Sequence, residues 1–166
     1  MFAIVPLAVV ARVRDEHALG HETIHAPDLF ADSYQVPDAN FGWSACDACY
    51  SCGSLVFDDD EALVIAHRPP QCRVWNLLVG KQFMATYGAA EGSDARCSIH
   101  GHNAVPNSGG SVTVVSSRGM TAHPNSLKTL SYPRGNLAFR WFLADDVPTR
   151  PSTTLVNVSD APTAVS

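Results

Sequence analysis

A zinc-binding motif is the first pattern in this sequence that could do chemistry. Residues 21–25 read His-Glu-Thr-Ile-His. On an α-helix the two imidazoles lie one turn apart on the same face and can share a zinc ion, while Glu22 acts as a general base. Pro27 ends such a helix directly after His25, because proline cannot continue it. We therefore predict a solvated helix face, with a metal-dependent enzyme that uses His21, Glu22 and His25 as the alternative.

Three cysteines with iron–sulfur-like spacing follow at Cys46, Cys49 and Cys52. Thiolates this close in sequence can hold zinc or an iron–sulfur cluster, with Cys72 or Cys97 as a fourth ligand. In a β-strand, however, Cys46 and Cys52 face one side and Cys49 faces the other, so the thiols do not converge on one ion. The total of five cysteines is odd, which disfavours a closed disulfide framework and favours a reducing compartment. We predict buried thiols without a metal, in a cytoplasmic protein.

A third candidate metal site is the pair His100 and His102, which lie two residues apart. On a strand both imidazoles face the same side, and further ligands would have to come from residues such as His67 or His123. The glutamate and the later histidine of a cupin site are not found at the required spacing. Surface histidines are the simpler interpretation. The three motifs together lead us to predict no metal ion and no cofactor, with the His100/His102 pair kept as a second enzymatic alternative.

Aromatic and charged residues come together around Trp75 and around Trp141. Aromatic rings with arginine and asparagine can line a pocket that orients a polar ligand. Core packing is the simpler interpretation for both tryptophans. Arg140, between two aromatic residues, either faces solvent or is paired at a site. The candidate ligand-binding residues are Tyr50, Arg73, Trp75, Asn125 and Arg140.

The composition excludes several classes of function. The chain has 166 residues, 46% of them apolar, and a formal net charge of -5. Single, scattered basic residues and a negative total do not form a nucleic-acid footprint. The apolar segment of residues 1–11 is too short to span a bilayer, so we expect no membrane partner. A serine-hydrolase elbow is absent, and Ser108-Gly109-Gly110 joins strand to strand rather than cradling phosphate at a helix.

The elements that must position these residues are mostly strands. Residues from Leu7 to about His25 are predicted to form a helix, and residues 26–43 carry loop residues. Short apolar segments bounded by Pro, Gly, Asn and Asp follow, as is typical of a sandwich or jelly roll. The predicted strands are 61–66, 73–79, 96–105, 111–117, 137–143 and 153–158.

Two of these segments carry sharper predictions. The turn residues 106–110 predict a hairpin that pairs 98–105 with 111–117 as antiparallel neighbours. In the segment 137–143, apolar residues alternate with Ala138 and Arg140. This alternation predicts that Trp141 faces the inside of the sandwich and that Arg140 points away from it.

An ordered series of short segments resembles domain of unknown function 1214 over residues 39–158. The resemblance implies a jelly-roll-like β-sandwich of a kind found at the end of longer bacterial proteins. The chain departs from the family pattern at Ser126, where the family usually has tryptophan, and at Lys128, near which an acidic residue is common. The matching segments are 47–50, 60–65, 72–76, 110–115, 123–125, 139–141 and 154–156.

The predicted architecture is therefore mainly β: a jelly-roll-like antiparallel β-sandwich with an N-terminal helix. Residues 1–38 form a helix and loop extension, 39–160 the sandwich and 161–166 a tail. Our first functional hypothesis is an accessory or carrier domain that binds a small molecule, either a sugar or an apolar metabolite. The alternatives are the metal-dependent enzyme and a purely structural domain, which would complete a homo-oligomer or a longer protein with an upstream domain.

Overall fold

The computed structural model describes residues 28–35, 45, 47–56, 58–81, 96–130 and 132–166. The predicted N-terminal helix, its His-Glu-x-x-His motif and Cys46 lie outside these residues. The described part is mainly β, and a 3₁₀ turn, Val158–Asp160, follows its last strand. None of its helices is long and apolar enough to cross a membrane. The strands are β1 Tyr34–Gln35, β2 Ala48–Val56, β3 Glu61–His67, β4 Val74–Lys81, β5 Ser98–His100, β6 Val112–Ser117, β7 Ser126–Lys128, β8 Arg134–Phe142 and β9 Ser152–Asn157.

The strands form two sheets, which confirms the prediction of a mainly β, two-layered protein. The five-stranded sheet has the order β1-β2-β8-β4-β5, and the four-stranded sheet has the order β7-β6-β3-β9. All pairs are antiparallel except β6 with β7, which is parallel. β8 lies between β2 and β4, so strands far apart in sequence build the first sheet.

The core lies between the two sheets and follows the alternation of the strands. On β8, Leu137, Phe139 and Trp141 are buried and pack against residues of β3 such as Leu63 and Ile65. The residues between them on β8 point to the opposite face, because successive side chains of a strand alternate. Trp141 is fully buried and Arg140 is exposed. The predicted orientation of both residues is confirmed.

The edge of the five-stranded sheet begins before residue 39. Residues 28–35 run beside β2, with an isolated bridge between Phe30 and Gly53 and a hydrogen bond from the Ala31 amide to the Cys52 carbonyl. The Phe30 ring enters the core and lies 5.4 Å from the Phe139 ring. Glycine at position 53 permits this close approach, because a methyl group there would overlap the Leu29 carbonyl.

The predicted hairpin is wrong, although its turn exists. The Gly110 amide donates to the Asn107 carbonyl, and Gly110 has the positive φ that the turn residues predicted, 76°. The flanking strands belong to different sheets: β5 pairs with β4, and β6 pairs with β3 and β7. Residues 101–111 therefore cross from one sheet to the other. A turn after His100, closed by hydrogen bonds from Asn103 and Ala104 to its carbonyl, ends β5 early and redirects the chain.

The predicted tail packs on the second sheet. Ala161 is buried against Ala62 and Val115 on the face of the four-stranded sheet that points away from the core. The Ser108 amide donates to the Ser166 carbonyl at 2.7 Å. These contacts hold residues 161–166 against the sandwich.

We expect Trp141→Ala to lower the free energy of unfolding by about 3–5 kcal/mol, the usual cost of removing a buried aromatic side chain. Arg140→Ala, the neighbouring exposed position, is expected to change it by no more than about 0.5 kcal/mol. Denaturant unfolding of both variants checks this. A Trp141 variant as stable as the parent would mean that β8 presents the other face to the core.

Gly53→Ala is expected to cost about 1–3 kcal/mol, because the added methyl group must displace the Leu29 backbone. Gly119→Ala is the matched control, since nothing lies within 4 Å of a methyl group at that position. Thermal or denaturant unfolding measures both. Equal stabilities for the two variants would contradict the close approach of residues 28–31 to β2.

Candidate functional site

A row of polar and aromatic side chains crosses the five-stranded sheet on the face that points away from the core. The row is centred on Arg140, whose direct neighbours are Tyr50 on β2 and Asn76 on β4. Directly opposed residues of antiparallel strands lie on the same face. The row comprises Tyr34, Tyr50, Arg140, Asn76 and His100, one residue from each strand in spatial order. We call it the polar row.

Arg140 is held in one orientation by two neighbours. Its Nε donates a hydrogen bond to the Asn76 Oδ1 at 3.3 Å, and its guanidinium lies over the Phe142 ring, 4.8 Å from the centroid. Among the described residues no carboxylate lies within ion-pair distance of it, whereas Arg118 pairs with Asp59 and Arg150 with Asp32. An oriented guanidinium without an acidic partner is available for a ligand.

Apolar side chains border the polar row on both sides. One border is Ala48, Phe142 and Val74, which are paired across β2, β8 and β4. The other is Cys52, Ala138 and Leu78 on the same three strands. Ala48 and Cys52 are buried, Phe142, Ala138 and Leu78 are half-buried, and Val74 is exposed. The accessible parts of both apolar lines therefore lie on β8 and β4.

The ends of the polar row are aromatic. The Tyr34 and Tyr50 rings lie 6.1 Å apart at an interplanar angle of 33°, and both residues are half-buried. At the other end, the His100 Nδ1 accepts a hydrogen bond from the His102 amide, and the two imidazoles lie 6.0 Å apart. Within the described residues no group of three metal-ligating side chains comes together, so these residues do not supply the His100/His102 pair with the further ligands that a metal site needs.

The structure brings together two of the five predicted site residues, Tyr50 and Arg140. Arg73 is exposed just before β4, where its amide donates to the Phe142 carbonyl at 2.9 Å. Trp75 faces the core, with its ring 6.0 Å from that of Phe139. Trp75 and Arg140 therefore lie on opposite faces of the same sheet.

Asn125, the fifth predicted residue, is fully buried and serves the scaffold. Its Nδ2 donates to the Val105 and Thr113 carbonyls at 2.7 and 2.8 Å, and its Oδ1 accepts from the Val105 amide at 2.8 Å. Its own amide donates to the Nδ1 of buried His123. These bonds attach the loop before β7 to β6. Both strands belong to the four-stranded sheet, whereas the polar row lies on the five-stranded sheet.

Besides His100, which was considered as a metal ligand, three members of the local site were missed in the sequence. Tyr34 lies in a two-residue strand, and Asn76 occupies a segment that reads as apolar on both faces. Phe142 breaks the alternation of its own strand, and the structure shows why: it faces outward beneath the Arg140 guanidinium. Only the strand register reveals these neighbours, and register between distant segments has no local sequence signal.

A histidine inside the core is the main buried titratable group. His67 is 5% exposed, and its Nε2 accepts a hydrogen bond from the Trp141 Nε1 at 3.0 Å. Its ring lies 4.7 Å from the Phe139 ring and 5.2 Å from the Trp141 ring. The Nδ1 has no hydrogen-bond partner. Burial disfavours the charged imidazolium and lowers the pKa of His67 to about 4.

The second buried histidine, His123, lies in the loop before β7, an edge strand of the same four-stranded sheet that contains His67. Burial lowers the pKa of His123. The Ala164 carbonyl opposes this shift, although no acceptor lies within hydrogen-bond distance of the Nε2. We therefore assign both buried histidines to the neutral form at neutral pH, which suits packing rather than proton transfer to a ligand.

The described cysteines do not converge. Cys49 lies opposite Trp141 on the core face, while Cys52 lies opposite Ala138 on the outer face, as the strand alternation predicted. Cys49, Cys72 and Cys97 are free thiols. Desolvation raises the pKa of the Cys49 and Cys72 thiols, which makes them less reactive at neutral pH.

The comparisons with known proteins show the fold and no function. No family model matches the chain, and no curated protein matches it. A crystal structure of an uncharacterized protein from Burkholderia cenocepacia is similar, with a TM-score of 0.72 and 24% identity over 81% of this chain and 36% of that one. The VPA0106 protein from Vibrio parahaemolyticus is similar with a TM-score of 0.55 and 17% identity over 69% of this chain and 32% of that one.

This chain spans about a third of the length of both solved proteins. Identities this low support a shared fold and carry no activity. The resemblance to domain of unknown function 1214 stays a prediction.

The buried His67 predicts a specific loss of stability in acid. The unfolded chain protonates this side chain near pH 6.5, whereas the folded chain does so only near pH 4. Stability is therefore complete above pH 6.5 and falls as the pH drops towards 4, by about 3 kcal/mol from this residue. His67→Gln, which keeps an acceptor for Trp141, is expected to flatten that part of the curve. Parallel stability curves for parent and variant between pH 7 and pH 4 would contradict the buried neutral state.

Proposed function

We propose that this chain is a jelly-roll-like, noncatalytic binding domain that holds a sugar on the outer face of its five-stranded sheet. The observation that carries the proposal is the polar row with its two apolar borders. A sugar ring has apolar C–H surfaces and polar edges, so it complements an aromatic and aliphatic surface that is crossed by hydrogen-bonding groups.

The dimensions of the row favour an extended ligand. Neighbouring strands are about 4.8 Å apart, so the distance from Tyr50 to His100 is about 14 Å. A row of this length suits a short oligosaccharide lying across the strands better than a compact apolar metabolite. Tyr50 and Phe142 supply the rings, and Arg140 and Asn76 supply donors and an acceptor.

The chemistry of the row favours binding over reaction. Glycoside hydrolysis needs two carboxylates flanking the bond, and acyl transfer needs a nucleophile activated by a base. The five residues of the row include neither arrangement. A domain that spans a third of two longer proteins can serve as the accessory part of a larger protein, which is the role that we propose for this one.

Tyr50→Ala is expected to weaken sugar binding at least about tenfold, equivalent to about 1.4 kcal/mol, because it removes the ring beside Arg140. The parent is first screened against a panel of neutral and acidic oligosaccharides, and the affinity of each ligand found is measured by calorimetry. Arg134→Ala is the matched control. Arg134 is exposed on the outer face of β8, the strand that also carries Arg140, and it lies about 20 Å from Arg140 along that strand. Its loss should leave the affinity for the sugar unchanged.

Two results would overturn the proposed function. One is a parent that binds no oligosaccharide of the panel. The other is a Tyr50 variant that binds every ligand with the affinity of the parent, since the site would then lie elsewhere on the protein.

A further inference from the structure

The geometry around Arg140 points to an acidic sugar, and we infer that this guanidinium binds the carboxylate of a uronic acid residue. The inference rests on the proposed function and adds the class of ligand to it. The contacts of Arg140, the charges around it and the neighbours in the polar row support it separately.

The guanidinium is positioned with its donor groups available. Its single Nε–H is used by the Asn76 Oδ1, which leaves both Nη groups for a ligand. Two parallel N–H groups match the two oxygens of a carboxylate in a bidentate pair. Because Nε is already occupied, the carboxylate is expected at the end of the side chain, across the two Nη atoms.

The charge of Arg140 is not neutralised locally. Asn76 accepts a hydrogen bond but carries no charge, and within the described residues no acidic side chain is in ion-pair distance of the guanidinium. The chain as a whole has a net charge of -5, which repels anions, so the attraction for an anion at this face comes from the unpaired Arg140 itself. A neutral ligand would make hydrogen bonds here without using that charge.

The aromatic neighbours of Arg140 restrict its guanidinium and form the surroundings of the proposed carboxylate. The Phe142 ring lies under the guanidinium at 4.8 Å, which restricts the side chain and lowers the entropy lost when a ligand binds. Tyr50 is the direct neighbour on the next strand, about 4.8 Å away along the row. A ring that carries a carboxylate can therefore lie over Tyr50 while its acid group reaches Arg140.

The charge balance favours a carboxylate over a phosphate. A phosphate monoester carries a charge of about −1.5 to −2 at neutral pH, and sites for it combine several cations or a nest of backbone amides. The polar row contains one arginine and no lysine. One guanidinium balances one carboxylate, so a sugar phosphate is the alternative ligand that the experiment must separate.

The test uses acidic trisaccharides and their neutral esters. Trigalacturonate, trimannuronate and triguluronate are each titrated into the parent protein by calorimetry, alongside the methyl ester of the same trisaccharide. At least one acid should bind at least tenfold more tightly than its ester, and its affinity should fall as NaCl is raised. Glucose 6-phosphate and galactose 6-phosphate are the phosphate probes.

Variants at Arg140 identify the residue responsible. Arg140→Gln should remove the preference for acid over ester, and Arg140→Lys should restore it only in part, because an ammonium group keeps the charge but not the planar fork. Arg134→Gln should keep the full preference. Unfolding measurements on each variant confirm that the fold is intact, as expected for exposed positions.

The outcomes separate this inference from the proposed function. An ester that binds as tightly as its acid, at a site that Tyr50→Ala destroys, overturns the carboxylate assignment and leaves sugar binding in place. Tighter binding of the sugar phosphates than of any acid also overturns it. A preference for acid that persists in Arg140→Gln shows that another residue recognises the anion, and the inference fails.

Discussion

The pairing of β8 with both β2 and β4 is the constraint on which the rest of this structure depends. Because side chains alternate along a strand, the register of β8 assigns Trp141 to the core and Arg140 to the outer face in the same step. A slip of one residue would exchange the two faces and place a guanidinium among the aromatic rings of the core, where an unpaired charge costs several kcal/mol. The register that gives the best core is therefore also the one that assembles the polar row.

The core that enforces this register contains a polar contact between His67 and Trp141. The hydrogen bond satisfies the indole N–H, but it fixes the neutral tautomer with its proton on Nδ1, and that donor has no acceptor. A buried donor without a partner costs about 1–3 kcal/mol. A more apolar residue at position 67 would leave the indole N–H unpaired instead. Replacing either His67 or Trp141 alone therefore lowers the stability of the fold.

Much of the fold could be predicted from the sequence, and the parts that could not share a physical reason. The alternation around Phe139 and Trp141 and the apolar segment that became β3 are local signals, and the structure has strands in both places. The turn at Asn107 and Gly110 was also a local signal and was predicted correctly. The sheet that each flanking strand joins, however, depends on its pairing partners, which lie far away in the chain. Asn125 was predicted to bind a ligand because it is polar. In the structure it is buried, and its side-chain amide hydrogen-bonds with backbone groups of the neighbouring loop and strand.

The candidate site was only partly predictable for the same reason. Tyr50 and Arg140 were selected by residue type, yet nothing in the sequence places them side by side, since their contact is made by pairing across 90 positions of chain. The site residues gain rigidity from this origin: each lies on a strand whose neighbouring side chains, such as Cys49 and Trp141, are locked in the core. Side chains held on packed strands need little reorganisation when a ligand arrives. A sheet face with few polar groups can therefore bind specifically when those groups are already oriented, as Arg140 is by Asn76 and Phe142.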